Sequence, residues 1–399
     1  MRIGMMADIY RPHISGVTNY ISLNKRVLEE SGHEVYVFTF GDVGYPDEET
    51  RIIRSPGMPV AETGFHLSFR HTRAARRLLQ SMDIVHVHHP FLSGRLALRY
   101  CRPKGIPIVF TNHTRYDLYM DAYLPMLPDQ LGTTFLQTYL QSFCREVDLT
   151  IAPSAGLRDV LHSLGIIHAV EVIPNGVDLQ PFQKHVIPVE RSAMGIEDED
   201  VLLIFVGRLG PEKNLTFLLR AFAGAQAAYP NTSLLLVGDG PEGDNLQDLS
   251  RRSGVDSKVV FTGMVEYAEL PRYLAAADVF ITASITEVHP LTLIEALASG
   301  LPVLGVRSPG VSDTIEDGVN GLLSPNDLAS FSALLSRMIG DSQLRRRLQE
   351  NARSSAQPYA IDKTAGRVLE MYTRLVADRD QPLGSPLRML WNSLQERWS

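Results

Sequence analysis

Cysteine is almost absent: among 399 residues only Cys101 and Cys144 occur. Two isolated thiols supply neither a CxxC pair nor a disulfide framework, so a reducing compartment fits and both read as packing residues. Long hydrophobic runs are missing as well. No apolar stretch approaches the ~20 residues that span a bilayer. The opening MRIGMMA reads as a strand, without the charged start and apolar run of a signal peptide. The expected location is cytoplasmic, with at most a peripheral association at the inner face of the membrane. Positive charge is in deficit too. Against 38 basic residues stand 45 acidic ones, a net charge of −7, which argues against general nucleic-acid binding.

What is present is an ordinary soluble composition, 44% hydrophobic and 21% charged, on a chain too long for one core. Apolar strand candidates fall at Ile3–Ala7, Glu34–Thr39, Ile84–His88, Pro107–Thr111, Leu149–Ala152 and Val170–Ile173, with helical patterns between them. The alternation pauses at the turn-rich Ile173–Asp178 and restarts. Strands are then expected at Leu202–Val206, Ser233–Val237, Lys258–Phe261, Val279–Thr282 and Pro302–Val306. Apolar strands alternating with amphipathic helices predict an α/β protein whose parallel sheets are covered on both faces. Two doubly wound, Rossmann-like domains are expected, residues 1–178 and 179–362, facing a cleft at the carboxyl ends of their strands.

The stretch that organises the rest is Asp278 to Val306, DVFITASITEVHPLTLIEALASGLPVLGV. It reads as strand, acidic loop, helix and strand. Pro290 opens the helix, so the amides of Leu291 and Thr292 point out of its N-terminus, where the macrodipole favours an anion. Glu287 before the helix and Glu295 within it add carboxylates that accept hydrogen bonds from hydroxyls. An anion site between two such groups suits a nucleotide-sugar.

Glu287 and Glu295, with Ala296, Ala298, Gly300 and Pro302-Val303 behind them, resemble the E-x7-E signature of the family-4 retaining glycosyltransferases, which have the GT-B fold. One departure is Pro290, where that family usually has a glycine; proline offers no N–H to a diphosphate. Further matches support the resemblance. Val206-Gly-Arg-Leu-Gly-Pro-Glu-Lys-Asn-Leu215 follows the family's phosphate loop, in which Arg208 and Lys213 converge on the diphosphate. The run Asp8-Ile-Tyr-Arg-Pro-His-Ile-Ser-Gly-Val17 is similar to its first loop, where the Gly16 and Val17 amides approach the same diphosphate. Gly238-Asp-Gly-Pro241 also matches, with Asp239 read as a turn residue. His113 after strand Pro107–Thr111 matches the histidine that contacts the donor sugar.

The resemblance implies a hexosyltransferase without a resident cofactor, the nucleotide-sugar being a co-substrate. Arg208 and Lys213 would stabilise the leaving diphosphate, Glu287 and His113 would hold the sugar, and Glu295 would hold the ribose. Val288, Leu291 and Thr292 complete the donor set. In the family the last helix, here near 363–399, crosses back onto the first domain. The run His113-Thr114-x-Tyr116-Asp117-x-Tyr119 looks like the lipid-glucosylating members, which assigns Tyr116, Asp117 and Tyr119 to the acceptor. UDP-glucose and diacylglycerol are the expected substrates, with GDP-mannose or a soluble acceptor as alternatives. A nicotinamide-dependent oxidoreductase is the rival from another class. It needs a G-x-G-x-x-G turn after a strand, with an acidic residue ~20 positions further on, and no strand–turn–helix of this chain is expected to supply that motif. A scaffold that has lost activity is the third reading, and the presence of all five donor-site side chains speaks against it.

No metal is expected. The D-x-D triplets Asp198–Asp200 and Asp378–Asp380 follow no core strand, and alternation along a strand would separate His86 and His88 from His89. One charge feature remains. Between Arg70 and Arg115 nine basic residues face Asp83 alone. A helix from Phe65 to Leu79 would bury Leu67, Ala74 and Leu78 and expose Phe69, Arg70, Arg73, Arg76 and Arg77. Such a face suits an anionic membrane surface.

Overall fold

Strands β1 (Arg2–Met6), β2 (Glu34–Phe40) and β3 (Ile52–Ser55) begin a parallel sheet that β6 (Ile84–Val87), β7 (Ile108–Thr111), β8 (Leu149–Ala152) and β9 (Val170–Val172) complete. The spatial order is β3-β2-β1-β6-β7-β8-β9, so the direction of winding reverses between β1 and β6. A small antiparallel pair, β4 (Met58–Pro59) and β5 (His66–Leu67), stands apart. The computed structural model describes residues 1–13, 15–60, 66–118 and 129–380. Its backbone divides into two units. The first holds Met1–Pro153, Arg158–Ile173 and the chain from Asp362 onward; the second holds Ser154–Leu157 and Pro174–Ile361.

Helices α1 (Gly16–Glu30), α2 (Arg73–Leu79), α3 (Leu92–Tyr100), α4 (Asp129–Glu146) and α5 (Ala155–Ser163) link the strands of the first sheet. Every residue of β6, β7 and β8 is buried, as strands covered on both faces require. The last helix among the described residues, Ile361–Asp380, belongs to this unit: Val368, Met371 and Tyr372 pack with Ile3, Met5 and Ile84.

The basic helix is shorter than its sequence pattern predicts, and it buries other residues. Only Arg73–Leu79 is helical, and Ala75 and Leu79 are its buried residues, while Ala74 is exposed. The cause lies outside the segment. His66–Leu67 pair with Met58–Pro59, and Ser55 Oγ accepts from the Thr72 amide, so the helix starts late, with Thr72 capping the Ala75 amide. Phe69 and Arg70 therefore precede the helix, and Phe65 lies outside the described residues. Phe69, Arg70, Arg73, Arg76 and Arg77 are nonetheless all exposed.

The second unit's sheet runs β12 (Val259–Gly263), β11 (Thr232–Val237), β10 (Val201–Val206), β13 (Val279–Thr282), β14 (Val303–Val306) and β15 (Gly321–Ser324), all parallel. Its side chains alternate between two cores: Leu203 and Phe205 enter one, Leu202, Ile204 and Val206 the other. Helices α6 (Gln180–Gln183), α7 (Leu215–Ala228), α8 (Gly243–Arg252), α9 (Leu270–Ala276), α10 (Leu291–Ser299), α11 (Pro309–Thr314), α12 (Leu328–Gly340) and α13 (Ser342–Ala356) cover it, and Ile361–Asp380 is then α14. Among the described residues no helix is long and apolar enough to cross a membrane.

Candidate active site

In an open parallel sheet, a crevice forms beyond the carboxyl ends of the two strands where the winding reverses. In the second unit these are β10 and β13. The loop after β10 carries Arg208 and Lys213; the loop after β13 carries Glu287. Three hydrogen bonds fasten the loops together: Ser284 Oγ to Glu212 O at 3.2 Å, Thr286 Oγ1 to the same carbonyl at 3.4 Å, and Asn214 Nδ2 to Ala283 O at 3.4 Å. Lys213 Nζ reaches Glu287 Oε1 at 2.5 Å, both side chains about one-fifth exposed. Arg208 is 67% exposed, with Glu212 4.0 Å away. Helix α10 starts here as well. Pro290 is its cap residue and no side chain caps it, so its first amides are left for a ligand to satisfy. Val288 is buried, while Leu291 and Thr292 are half-buried at that end.

Glu295, one turn into α10, is 3% exposed. Tyr267 donates to its Oε1 at 2.9 Å, and Oε2 has no partner. Burial pushes the carboxyl up to about 7, against the pull of the Tyr267 hydrogen bond. A buried carboxylate with one oxygen held and the other unsatisfied is ready for hydroxyl donors. The sequence reading missed Tyr267. Nothing local signals it, since it lies 28 residues from Glu295 in the chain.

Contrary to the expectation that no turn supplies it, Gly238-Asp-Gly-Pro-Glu-Gly243 after β11 has the G-x-G-x-x-G spacing that the oxidoreductase rival needs. The structure explains these glycines differently. A Cβ on Gly238 would lie 2.0 Å from the Gly207 carbonyl oxygen, and one on Gly240 would lie 2.6 Å from that of Leu209. The glycines let this turn press its backbone onto the Arg208 loop. The following strand ends in Phe261-Thr262-Gly263, without the carboxylate that would hold a dinucleotide's ribose. Asp239 accepts from the Gly240 amide at 2.7 Å, as a turn residue does.

In the first unit the reversal lies between β1 and β6. The loop after β1 ends in α1, where Ser15 and Thr18 form a reciprocal capping box. That box engages the amides of Ser15 and Thr18 and leaves those of Gly16 and Val17 to other partners. A Cβ on Gly16 would meet no atom within 4 Å. Packing does not require this glycine. Asp8, which opens the loop, is structural: its carboxylate accepts from the Ser93 amide at 2.7 Å at the start of α3.

His113, beyond β7, contacts His88: its Nε2 lies 3.1 Å from His88 Nδ1, and the edge of Tyr20 packs against both rings. Burial, then the neighbouring His89 and His86, hold His113 well below its usual range, so it is neutral. His88 Nε2 is buried without a partner. A bare ring nitrogen is the cheaper orphan than a stranded N–H. The hydrogen-bond network thus places the His88 proton on Nδ1, donating to His113 Nε2. His113 then carries its own proton on Nδ1, as a donor. The sequence could not pair these two, which are 25 residues apart.

Tyr116 is 3% exposed and packs edge-on against Phe91. Asp117 sits in a single 3-10 turn, and Tyr119 lies outside the described residues. His86 and His88 share a face, with ring centroids 4.3 Å apart. His86 already bonds Tyr372 Oη at 2.5 Å and Thr111 Oγ1 at 2.7 Å. Asp200 is buried against Lys258 Nζ at 2.7 Å. Among the described residues no group of three or more His, Cys, Asp or Glu is placed to hold a metal ion.

Family models match both halves: "Glycosyltransferase Family 4" over residues 14–181 and "Glycosyl transferases group 1" over residues 186–355. The chain is 33% identical to the alpha-monoglucosyldiacylglycerol synthase of Streptococcus pneumoniae, over 85% of this chain and 78% of that one. It is 31% identical to the enzyme of the same name from Acholeplasma laidlawii, over 96% and 99%. Among solved structures, Anabaena HepE in complex with UDP-glucose superposes with a TM-score of 0.75 at 19% identity, over 94% of this chain and all of that one (100%).

Proposed function

This chain belongs to the family-4 retaining glycosyltransferases and is a hexosyltransferase of the GT-B fold, and from that premise we propose that it transfers glucose from UDP-glucose to the hydroxyl of a diacylglycerol. The observation that carries the reading is the group at the β10–β13 reversal. Lys213, Arg208 and the uncapped start of α10 offer positive charge beside Glu287, with the half-satisfied Glu295 one turn away. Two relatives named as diacylglycerol glucosylating enzymes align over most of the chain. Their names supply the lipid and the glucose.

In the proposed reaction the bond between the sugar's anomeric carbon and the diphosphate oxygen breaks. A bond to the acceptor oxygen forms on the same face, and the acceptor proton passes to the departing diphosphate. Negative charge grows on that diphosphate, where Arg208, Lys213 and the α10 amides stabilise it without a metal. Glu287 accepts from sugar hydroxyls, and His113 donates to the sugar through Nδ1. Glu295 accepts from the ribose hydroxyls through the oxygen that Tyr267 leaves free. Tyr116, Asp117 and Tyr119 are assigned to the acceptor. Phe69, Arg70, Arg73, Arg76 and Arg77 dock the first unit on anionic lipid from the cytoplasmic side. Each basic residue there contributes about 1 kcal/mol at low screening.

Product mass identifies the reaction. UDP-glucose, UDP-galactose and GDP-mannose are each offered with diacylglycerol, polyprenol and free sugars, with and without EDTA. The expected product is monoglucosyldiacylglycerol from UDP-glucose, formed at full rate in EDTA. Full-rate transfer to a soluble sugar, with anionic liposomes ignored in sedimentation, would overturn the lipid reading and leave the transferase.

Gly16 supplies a second test. Alanine fits there and is the better helix residue, so Gly16→Ala should keep or raise stability by up to ~1 kcal/mol. If the diphosphate approaches this amide, the added methyl should lower kcat/KM by about tenfold or more, a loss of ~1.4 kcal/mol in the transition state. A fully active, more stable variant would remove Gly16 and Val17 from the donor site.

A further inference from the structure

After β1 the backbone runs through residues 8–13 without strand or helix, and it is fastened from the segment between β2 and β3. Glu49 of that segment is the hub. Tyr10 Oη lies 3.0 Å from both Glu49 carboxylate oxygens, so its one proton is shared between them. Ser22 Oγ, on α1, donates to Oε1 at 2.8 Å. Arg11 Nε stands 3.3 Å from Oε1 as an ion pair without the angle of a hydrogen bond, and Lys25 Nζ stands 3.8 Å from Oε2. From β3, Arg54 donates to the Arg11 carbonyl oxygen at 2.5 Å, while Asp47 holds the Arg54 guanidinium in a fork at 2.6 and 2.8 Å.

The cluster is largely out of water. Tyr10 is 3% exposed, the Lys25 side chain 4% and the Glu49 side chain 23%. Withdrawing such charges costs hydration that pairing only roughly offsets, so stability is a weak reason for placing them here. Burial, then the Glu49 charge, push the Tyr10 hydroxyl up, so it stays a donor. Position supplies a stronger reason. Tyr10 and Arg11 precede the turn that carries Gly16 and Val17; Ser22 and Lys25 follow it on α1. Glu49 therefore bridges both arms of that turn. A site carried on a loop is held only as well as its supporting contacts, and a displacement of about 1 Å can cost up to about 100-fold in rate.

We propose that Glu49 is a positioning residue for the transfer: it fixes the turn so that the Gly16 and Val17 amides meet the diphosphate. The proposal rests on the reading above that brings these two amides to the donor. Glu49 acts through the loop and α1, its own carboxylate being taken up by Tyr10 and Ser22.

Steady-state kinetics and hydrogen exchange on the full chain test this role. Glu49→Gln keeps the shape of the side chain and removes its charge. It should lower kcat about tenfold through the displaced amides. KM for UDP-glucose, set mainly by residues of the second unit, should stay within about twofold. Peptides covering residues 8–13 should exchange about tenfold faster, a readout that needs no substrate. Tyr10→Phe takes one donor from Glu49 and should show the same pattern at about threefold, which keeps the test open should Glu49→Gln fold poorly. Asp83→Ala is the structural control. It removes the carboxylate that accepts from the Arg2 amide at 2.7 Å, at the amino end of β1, and should destabilise without moving kcat or that exchange.

A double-mutant cycle with Gly16→Ala decides the route. If Glu49 works through the Gly16 amide, adding Glu49→Gln to Gly16→Ala should cost less than about threefold more, whereas independent losses would multiply. Multiplying losses, an unchanged kcat in Glu49→Gln, or unaltered exchange in residues 8–13 would each overturn the proposal. A fully active Gly16→Ala removes the donor-site reading and this proposal with it. A slow Gly16→Ala beside a fully active Glu49→Gln removes this proposal alone.

Discussion

Arg208→Ala and Lys213→Ala should each reduce turnover by at least ~100-fold, because each acts on charge that grows as the diphosphate departs. The two changes differ in what they leave behind. Arg208 is mostly exposed, 4.0 Å from Glu212, so its removal should cost almost no stability. Lys213 sits 2.5 Å from Glu287 and links the loops after β10 and β13. Its removal strands a partly buried carboxylate beside the sugar site, so KM for the donor should rise along with the loss in kcat. Lys213→Arg keeps the charge but not the reach, and should recover only part of the rate. Steady-state kinetics of the purified variants decide the matter. A double Arg208→Ala, Lys213→Ala variant with near-normal turnover would remove both residues from the chemistry.

Glu295→Gln should weaken donor binding and at the same time reveal how costly the wild-type carboxyl is. Burial raises it from 4.5 to about 7. The folded protein therefore holds this proton more tightly than the unfolded chain. Its stability falls as pH rises between those two values, and the cost is fully present above pH 7. The shift corresponds to about 3 kcal/mol. Glutamine does not ionise, so the stability difference between variant and wild type should move by about 3 kcal/mol in favour of glutamine between pH 4 and pH 8. Donor binding reports the other side. Ribose hydroxyls donate to the ionised form, so the wild-type KM should fall as pH rises through 7, and Glu295→Gln should raise KM at least ~10-fold, the cost of leaving a buried polar group mispaired. A stability gap that does not change with pH would rule out the buried acid, and an unchanged KM would rule out the ribose contact.

Much of the second unit's site is legible in the chain because its parts are local. Arg208 and Lys213 share one loop. Glu287, Pro290 and Glu295 share one loop and helix start, and strand alternation predicts which strand ends they follow. Partners that fold back from elsewhere are not legible. Tyr267 on Glu295, His88 on His113 and Lys258 on Asp200 come from separate elements, and no residue pattern links them beforehand. The G-x-G-x-x-G spacing at Gly238–Gly243 shows the opposite hazard. The motif is plain in the sequence, but its reason is the close approach of the Arg208 loop. Short elements escaped too: β3 carries the half-buried Arg54, paired to Asp47 at 2.6 Å, which breaks the apolar signal of a strand.

By itself the sequence determined the α/β alternation, the restart after Ile173 and the family signature. Each follows from periodicity or from residues adjacent along the chain, and burial on one or both faces enforces such patterns locally. Only the tertiary structure decided the rest. It set the start of α2, because the anchor is Ser55, far upstream. It left Glu295 with one satisfied oxygen, because Tyr267 arrives from the turn after β12. It brought Arg76 to the ring of Tyr100, because the end of α2 meets the end of α3, where Gln80 Nε2 donates to Tyr100 O at 3.2 Å. Contacts between distant segments exist only once the chain has paid the entropy of bringing them together, so no local pattern can encode where they meet.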